Sequence, residues 1–184
     1  MKVESSIWKA TLEELQAQIL AGDSITGGVA AAAVSAALAA SILQMVLEIA
    51  VRKKESERMR ELIAAARGTS ARLAQLADED RAAYAGFMEA RRLPRDSEEA
   101  RETRRRAMGA ALRRATQTPL AAARSAAAAL DICVEAAGMV HGQTAADVGG
   151  AAALLAGAVR AILYSVEANL RLQCRTAIEA QSSN

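Results

Sequence analysis

Apolar residues recur at every third or fourth position along most of this chain, the spacing that places them on one face of a helix. Leu155, Ala158 and Ile162 are one such series. No segment shows the strict alternation of apolar and polar residues that is typical of a half-buried strand. The pattern predicts six helices, at about positions 11–20, 29–53, 55–91, 96–118, 119–139 and 147–180.

Local signals mark the ends of these helices. The first helix begins with a capping box between Thr11 and Glu14, and Gly22 ends it. The loop that follows, 23–28, closes with two glycines. Pro119 separates the fourth helix from the fifth, because proline suits a first helical turn and interrupts a helix interior.

The composition predicts how the core is filled. Apolar residues make up 52% of the 184 residues but aromatic residues only 2%, so alanine and aliphatic side chains must form the core. Alanine, leucine, arginine and glutamate are strong helix formers. We therefore expect an all-α fold, a helical bundle in one domain that covers 1–184.

Charge and residue types exclude several classes of function. With 23 basic and 21 acidic residues the net charge is +2, so no nucleic-acid partner is expected. Cys133, Cys174 and the single His141 provide no metal-ligand spacing and no Ser-His-Asp triad. Two buried, reduced thiols are expected, which together with the absence of a secretory signal in 1–12 predicts a cytoplasmic protein.

Two apolar stretches are long enough to cross a membrane, 29–47 and 148–166. The first is mostly alanine and serine, which are weakly apolar, and the second contains Arg160. Such segments are typical of central helices that neighbouring helices pack closely, so we expect no membrane insertion.

A carboxylate interrupts the apolar stripe of the third helix. Helical spacing from Leu76 reaches Asp80 and then Tyr84 and Phe87, whereas Asp78 points elsewhere and can remain in water. A buried carboxylate must be paired, hydrogen-bonded or protonated, and desolvation raises its pKa toward the range that suits acid/base chemistry. Asp80 is therefore the candidate catalytic residue; the alternative is a structural aspartate that an arginine or backbone amides satisfy.

Other polar residues lie on inward faces. Arg104 shares a face with Met108 and Leu112, Asn169 lies within the stripe of the last helix, and Lys53 ends the second helix. A lysine at a helix end commonly extends into solvent, which is the alternative for Lys53. If they converge, these side chains and Asp80 form one polar pocket inside an apolar bundle.

The segment from Asp78 to Leu120, DEDRAAYAGFMEARRLPRDSEEARETRRRAMGAALRRATQTPL, resembles the cyclodeaminase/cyclohydrolase family. The shared features are the Asp-x-x-Ala-Tyr motif at Asp80, the Leu-Pro-Arg loop at 93–95 and the Ala-x-x-x-Pro-Leu turn at 115–120. Weaker similarity extends from the two glycines at 27–28 to Leu170. The family includes the deaminase half of formimidoyltransferase-cyclodeaminase and stand-alone methenyltetrahydrofolate cyclohydrolases.

The resemblance implies a homodimer or larger homo-oligomer, with a folate pocket at a subunit interface. It implies two related reactions: loss of ammonia from 5-formimidoyltetrahydrofolate with closure of the methenyl bridge, and hydrolysis of 5,10-methenyltetrahydrofolate to the 10-formyl compound. A tetrahydrofolate derivative is then the substrate, and no tightly bound cofactor or metal is implied.

The resemblance also implies roles for single residues. The family's catalytic aspartate matches Asp80. Lys53 and Arg104 would hold or polarise anionic parts of the folate, and Asn169 would donate a hydrogen bond to the pterin or to Asp80. Asp147 matches an aspartate at the start of the family's last helix, with a plain helix cap as its alternative.

Pocket-lining positions depart from the family pattern. The family's Pro-Gly-Gly-Gly-Ser loop is Ile25-Thr26-Gly27-Gly28-Val29 here, which keeps two glycines, Gly27 and Gly28, where backbone amides can approach a ligand. His141 stands where the family has an amide side chain. Two further hypotheses remain open: a relative that performs cyclisation, rearrangement or amine elimination on another small molecule in secondary metabolism, and a non-catalytic helical assembly module.

Overall fold

The computed structural model describes residues 5–21 and 25–182, with side chains described as far as residue 175. The predicted helix end at Gly22, part of the 23–28 loop and the first four residues lie outside this range. The described chain contains no strand, so the all-α prediction is confirmed. A short 3₁₀ turn, Ile7–Lys9, precedes five helices: α1 Leu12–Leu20, α2 Gly28–Lys53, α3 Glu57–Arg92, α4 Glu98–Ala137 and α5 Gln143–Ser182.

Helices α2 to α5 form an up-and-down four-helix bundle. Only short segments, 54–56, 93–97 and 138–142, connect them, so consecutive helices run antiparallel. Each helix packs against two neighbours, in the order α2, α3, α4, α5 and back to α2. The largest fully buried side chains come from all four helices: Leu43, Val46, Leu47, Leu73, Leu76, Pro119, Leu155 and Ile162.

Hydroxyl side chains cap the N-termini of α1, α3 and α4. The predicted capping box is present, since the Thr11 side chain accepts from the Glu14 amide and the Glu14 carboxylate accepts from the Thr11 amide. Ser56 and Ser97 cap α3 and α4 by accepting from the amides of Met59 and Ala100, without the second bond of a capping box. These hydrogen bonds define the residues at which the three helices begin.

The predicted helix boundary at Pro119 is wrong, which is one reason that five helices replace the expected six. Pro119 lies inside the continuous helix α4. A proline in a helix leaves the carbonyl four residues earlier without its usual donor. Here Asn169 Nδ2 of α5 donates to that carbonyl, on Ala115, at 2.8 Å. A side chain from a neighbouring helix thus replaces the missing hydrogen bond, which local sequence signals could not reveal.

Two helices are long and apolar enough to span a membrane when judged by length and composition alone, Gly28–Lys53 and Gln143–Arg175. In α2 half of the most apolar window is buried, as expected for the central helix of a bundle, and in α5 only 28% is buried. Buried core helices pass the same test, so this is weak support for a membrane span.

The cysteine prediction is half wrong. Cys133 is a buried free thiol, and its burial raises its pKa. Cys174 is also free but exposed. Cys174 lies outside the apolar stripe of α5, which explains its exposure.

The segment before α1 is fastened to α3. Asp78 accepts hydrogen bonds from Ser6 Oγ at 2.6 Å and from the Ile7 amide at 2.8 Å. Arg81, whose side chain is 8% exposed, donates to the Ser5 carbonyl and lies 3.5 Å from the Asp78 carboxylate. The expectation that Asp78 stays in water is wrong, because its partners lie more than 70 positions away in the sequence. We call Asp78, Arg81 and residues 5–7 the N-terminal clamp.

Candidate functional site

A cavity of ≈ 430 Å³ lies at the end of the bundle where α2 begins. All five helices and the loop before α2 contribute to its wall. α1 and the loop supply Ile19, Ile25, Thr26 and Gly27; α2 supplies Gly28 and Val29; α3 supplies Asp80, Tyr84 and Phe87; α4 and α5 supply Leu112, Ala115, Pro119, Ser165, Asn169 and Leu172.

Asp80 is the one charged residue among the described residues of this wall. It is half-buried, and burial raises the pKa of its carboxyl from 3.8 to about 6. No described residue donates a hydrogen bond to the carboxylate or forms an ion pair with it, so desolvation is not offset by a partner. The alternative of a structural aspartate held by an arginine or by backbone amides therefore finds no support in the described contacts. A carboxyl in this state exchanges protons readily near neutral pH.

The loop before α2 brings backbone amides to the cavity. Gly27 is the N-cap of α2, and no side chain caps this end. The first amides of a helix have no intrahelical partner and carry partial positive charge. A Cβ added to Gly27 or Gly28 would meet nothing within 4 Å, so neither local packing nor a positive φ requires these glycines. What they provide is open space beside the amides.

Thr26 and Val29, which replace the family's glycine and serine, are both buried. Thr26 Oγ1 donates to Gln18 Oε1 of α1 at 3.0 Å. The threonine hydroxyl thus ties α1 to the loop, and the loop differs from the family's pattern in its polar contacts as well as in its sequence.

Two aromatic rings face the cavity, those of Tyr84 and Phe87. The whole chain has only four aromatic residues, one Trp, two Tyr and one Phe, so half of them lie here. Sequence reasoning placed both on the stripe of Asp80 but gave them no role. Their rarity in an alanine-rich chain is the signal that could have singled them out as cavity residues.

Four of the predicted site residues lie together and four do not. Asp80, Asn169, Gly27 and Gly28 line the cavity. Arg104 is half-buried, and its guanidinium donates to the Arg91 carbonyl near the end of α3, outside the cavity wall.

The remaining three residues lie at the opposite end of the bundle. Lys53 ends α2, a helix of 26 residues, which corresponds to roughly 39 Å at 1.5 Å per residue. His141 and Asp147 are at the start of α5, at the same end as Lys53, and Lys53 and His141 are exposed. Asp147 lies beyond the first turn of α5, which starts at Gln143, so its alternative role as a plain helix cap is wrong. Within the described residues, no group of three or more His, Cys, Asp or Glu side chains is placed to hold a metal ion.

Comparisons with known proteins agree on one family. A family model described as formiminotransferase-cyclodeaminase matches residues 11–179. The formimidoyltransferase-cyclodeaminase of Mus musculus is 32% identical over 121 residues, and that of Sus scrofa is 30% identical over 128 residues. These matches cover 64% and 67% of this chain but only 22% and 24% of the mammalian proteins, so the chain spans less than a quarter of their length.

Among solved structures, formiminotetrahydrofolate cyclodeaminase from Thermotoga maritima has the same fold. The TM-score is 0.77, and the match covers 90% of this chain and 80% of that one. Because the identity is 22%, this likeness describes the backbone architecture and not the chemistry of the site.

Proposed function

Because the chain belongs to the formiminotransferase-cyclodeaminase family, as its resemblance over 78–120 implied, we propose that it is a folate one-carbon enzyme. In this proposal it closes 5-formimidoyltetrahydrofolate to 5,10-methenyltetrahydrofolate with release of ammonia, and Asp80 is the acid/base. The observation that supports it most directly is an unpaired carboxyl with a pKa of about 6 in a cavity with two aromatic rings.

The chemistry requires one group that can both accept and return a proton. N10 of the folate attacks the formimidoyl carbon, and the Asp80 carboxylate takes the proton that N10 loses. Asp80 then gives a proton to the departing nitrogen, and the C–N bond breaks with its electron pair leaving on ammonia. One further proton is taken from solution, so that neutral substrate plus H⁺ gives the methenyl cation plus NH₃. A carboxyl with a pKa near the working pH suits both transfers.

The hydrolysis of the methenyl compound is the second reaction open to the same carboxyl. There Asp80 would remove a proton from the attacking water. A single assay separates the two reactions, because the first releases ammonia from the formimidoyl substrate and the second consumes the methenyl compound without forming ammonia.

A different small-molecule substrate is the second candidate function. It is favoured by the loop Ile25-Thr26-Gly27-Gly28-Val29, in which Thr26 is tied to Gln18. In that case the cavity binds a planar molecule other than a folate, and Asp80 keeps its role. A folate that neither raises the melting temperature nor turns over would favour this candidate over the first.

Replacing Phe87 with Ala is expected to weaken folate binding about tenfold, since stacking on an aromatic ring contributes roughly 1–1.5 kcal/mol. The measurement is the rise in melting temperature that 5-formyltetrahydrofolate, a stable folate, produces in each chain. Ile19→Ala, which shortens an aliphatic side chain in the same wall, is the matched control and should have a smaller effect. Equal losses in the two variants would argue against a stacked ring.

We also propose that the protein acts as a cytoplasmic homodimer. An outer stripe on α5, defined as Gly150, Leu154, Gly157, Ala161, Tyr164 and Ala168, is exposed along its whole length. Small residues at this spacing allow a second helix to approach closely, and an uncovered apolar face of this length is unusual for a monomer. In a dimer, Lys53, His141 and Asp147 of a second copy would be available to a site that has no cation of its own in the described wall.

The variant Ala161→Glu is expected to convert the dimer to a monomer, because it places a charge in the middle of the outer stripe. Sedimentation equilibrium at micromolar concentration measures the mass. Val134→Glu, which introduces the same charge at a position of α4 that is 75% exposed, is the control and should leave the mass unchanged. A wild-type chain that sediments as a monomer would refute the dimer.

A further inference from the structure

Pro119 opens a gap in the hydrogen bonding of α4 beside the cavity. It is fully buried and lines the cavity wall. Because proline has no N–H, the Ala115 carbonyl has no donor within the helix. Asn169 Nδ2 supplies one at 2.8 Å, and one turn further along α5 Gln173 Nε2 donates to the Leu112 carbonyl at 3.2 Å.

The Asn169 amide is therefore held by its nitrogen. Among the described residues, none donates a hydrogen bond to its Oδ1. Among the described residues, the Nε of Arg81 is the one buried side-chain nitrogen or oxygen without a partner, so the Oδ1 of Asn169 is not a buried atom. The Asn169 Oδ1 is thus not sealed off, and the space that Asn169 adjoins is the cavity.

We infer that Pro119 is a positioning residue for the ligand: it keeps the Ala115 carbonyl free to hold the Asn169 nitrogen, so that the Asn169 oxygen faces the ligand as an acceptor. An ordinary residue at 119 would donate its own N–H to Ala115 and release the Asn169 side chain to rotate. The inference goes beyond the expected role of Asn169 as a donor to the ligand, because it reverses the polarity of that contact.

The consequence for the substrate class depends on the proposed folate function. Asp80 lies on α3 and Asn169 on α5, two helices that are not neighbours in the bundle, so the two groups face the cavity from different sides. Two acceptors select a ligand group with hydrogen-bond donors. A formimidoyl group carries an N–H, and a methenyl bridge carries none, so the site should prefer the deamination substrate to the hydrolysis substrate.

A double-mutant cycle with Pro119→Ala, Asn169→Ala and the pair tests the positioning role. Without ligand, Asn169→Ala should lower the melting temperature by about 2–4 °C when residue 119 is proline, because the Ala115 carbonyl loses the donor that replaces the missing N–H of residue 119. It should lower it clearly less when residue 119 is alanine. Equal losses in both backgrounds would overturn the inference, whatever the ligand.

The same four chains are then titrated with 5-formyltetrahydrofolate. Pro119→Ala should weaken binding roughly tenfold while the melting temperature without ligand stays the same or rises, and Asn169→Ala should add little to that loss. Additive losses would mean that the proline ring contacts the ligand directly, and unchanged binding in Pro119→Ala would mean that Asn169 needs no positioning; either result overturns the inference.

Substrate preference is the last measurement. Asn169→Ala should reduce kcat/KM for 5-formimidoyltetrahydrofolate more than for 5,10-methenyltetrahydrofolate, and equal reductions would contradict the acceptor role. If the wild-type chain binds no folate, the proposed function fails, whereas the coupling in the ligand-free cycle still decides whether Pro119 positions Asn169.

Discussion

Replacing Asp80 with Asn is expected to lower kcat/KM for the deaminating cyclisation by about 10²–10⁴-fold, the usual contribution of a general acid/base. The amide keeps the size of the side chain but cannot take a proton from N10 or return one to the departing nitrogen. Ammonia release from 5-formimidoyltetrahydrofolate measures the rate. Glu79→Gln, next to Asp80 in α3, is the matched control and should retain the wild-type rate. A fully active Asp80→Asn chain would remove Asp80 from the mechanism.

The same variant should raise the free energy of unfolding, because the folded state no longer contains an ionised, partly buried carboxylate. The pKa of Asp80 is about 6 in the folded protein against 3.8 ordinarily. Wild-type stability therefore falls as the pH rises from about 4 to about 6, whereas the variant lacks this loss. The gain should be about 1–3 kcal/mol above pH 6 and absent below pH 4. Urea unfolding at several pH values measures it.

Catalysis should show the opposite dependence on pH. If the carboxylate form takes the proton from N10, the wild-type rate rises with pH through about 6 and then levels off. If the Asp80→Asn chain is both less active and less stable than the wild type, Asp80 has a structural role. The proposed acid/base role predicts lower activity together with higher stability.

The second large effect is expected at the N-terminal clamp. Asp78→Ala removes the acceptor of the hydrogen bonds from Ser6 and Ile7 and the carboxylate that pairs with Arg81 among the described residues. The loss of a half-buried carboxylate that accepts two hydrogen bonds and pairs with a buried arginine costs about 2–4 kcal/mol, which lowers the melting temperature by roughly 5–15 °C in a chain of this size.

The neighbouring variant Glu79→Ala is the control for this prediction. Glu79 forms an ion pair with Arg72 in which both side chains are about one-third or more exposed, at 32% and 43%. Such pairs contribute at most about 1 kcal/mol, so Glu79→Ala should leave the melting temperature nearly unchanged. Similar losses in the two variants would mean that the clamp contributes no more than a surface ion pair.

The fold was largely predictable because its signals are local. The spacing of apolar residues identified the helices, and the Thr11 capping box was found where the sequence placed it. The error at Pro119 had a non-local cause, since the helix continues only because Asn169, 50 positions later, satisfies the carbonyl that proline leaves free. Asp78 was misjudged for the same reason, because its partners precede it by more than 70 residues.

The site was predictable only as far as one helix face extends. The stripe of α3 placed Asp80 inward, and the structure puts it in the cavity wall. Which residues converge on it depends on how far along each helix they lie. Lys53 and Asn169 both satisfied the test of an inward face, but α2 and α5 carry them to opposite ends of the bundle. Helical periodicity predicts which side of the helix a residue faces, but not where along the bundle axis it lies.

The buried alanines of α2 should tolerate smaller residues better than larger ones, the reverse of the usual behaviour of large side chains in a protein core. Seven of the eleven buried residues of this helix are Ala, among them Ala33, Ala36, Ala39 and Ala40, all fully buried. A substitution to a smaller residue removes at most one methyl group at these alanines. A larger side chain would push two long helices apart and lower the free energy of unfolding by about 1–3 kcal/mol per overpacked site. During divergence this chain should accept new residues at its surface and around the cavity mouth far more readily than larger side chains at the buried alanines of α2.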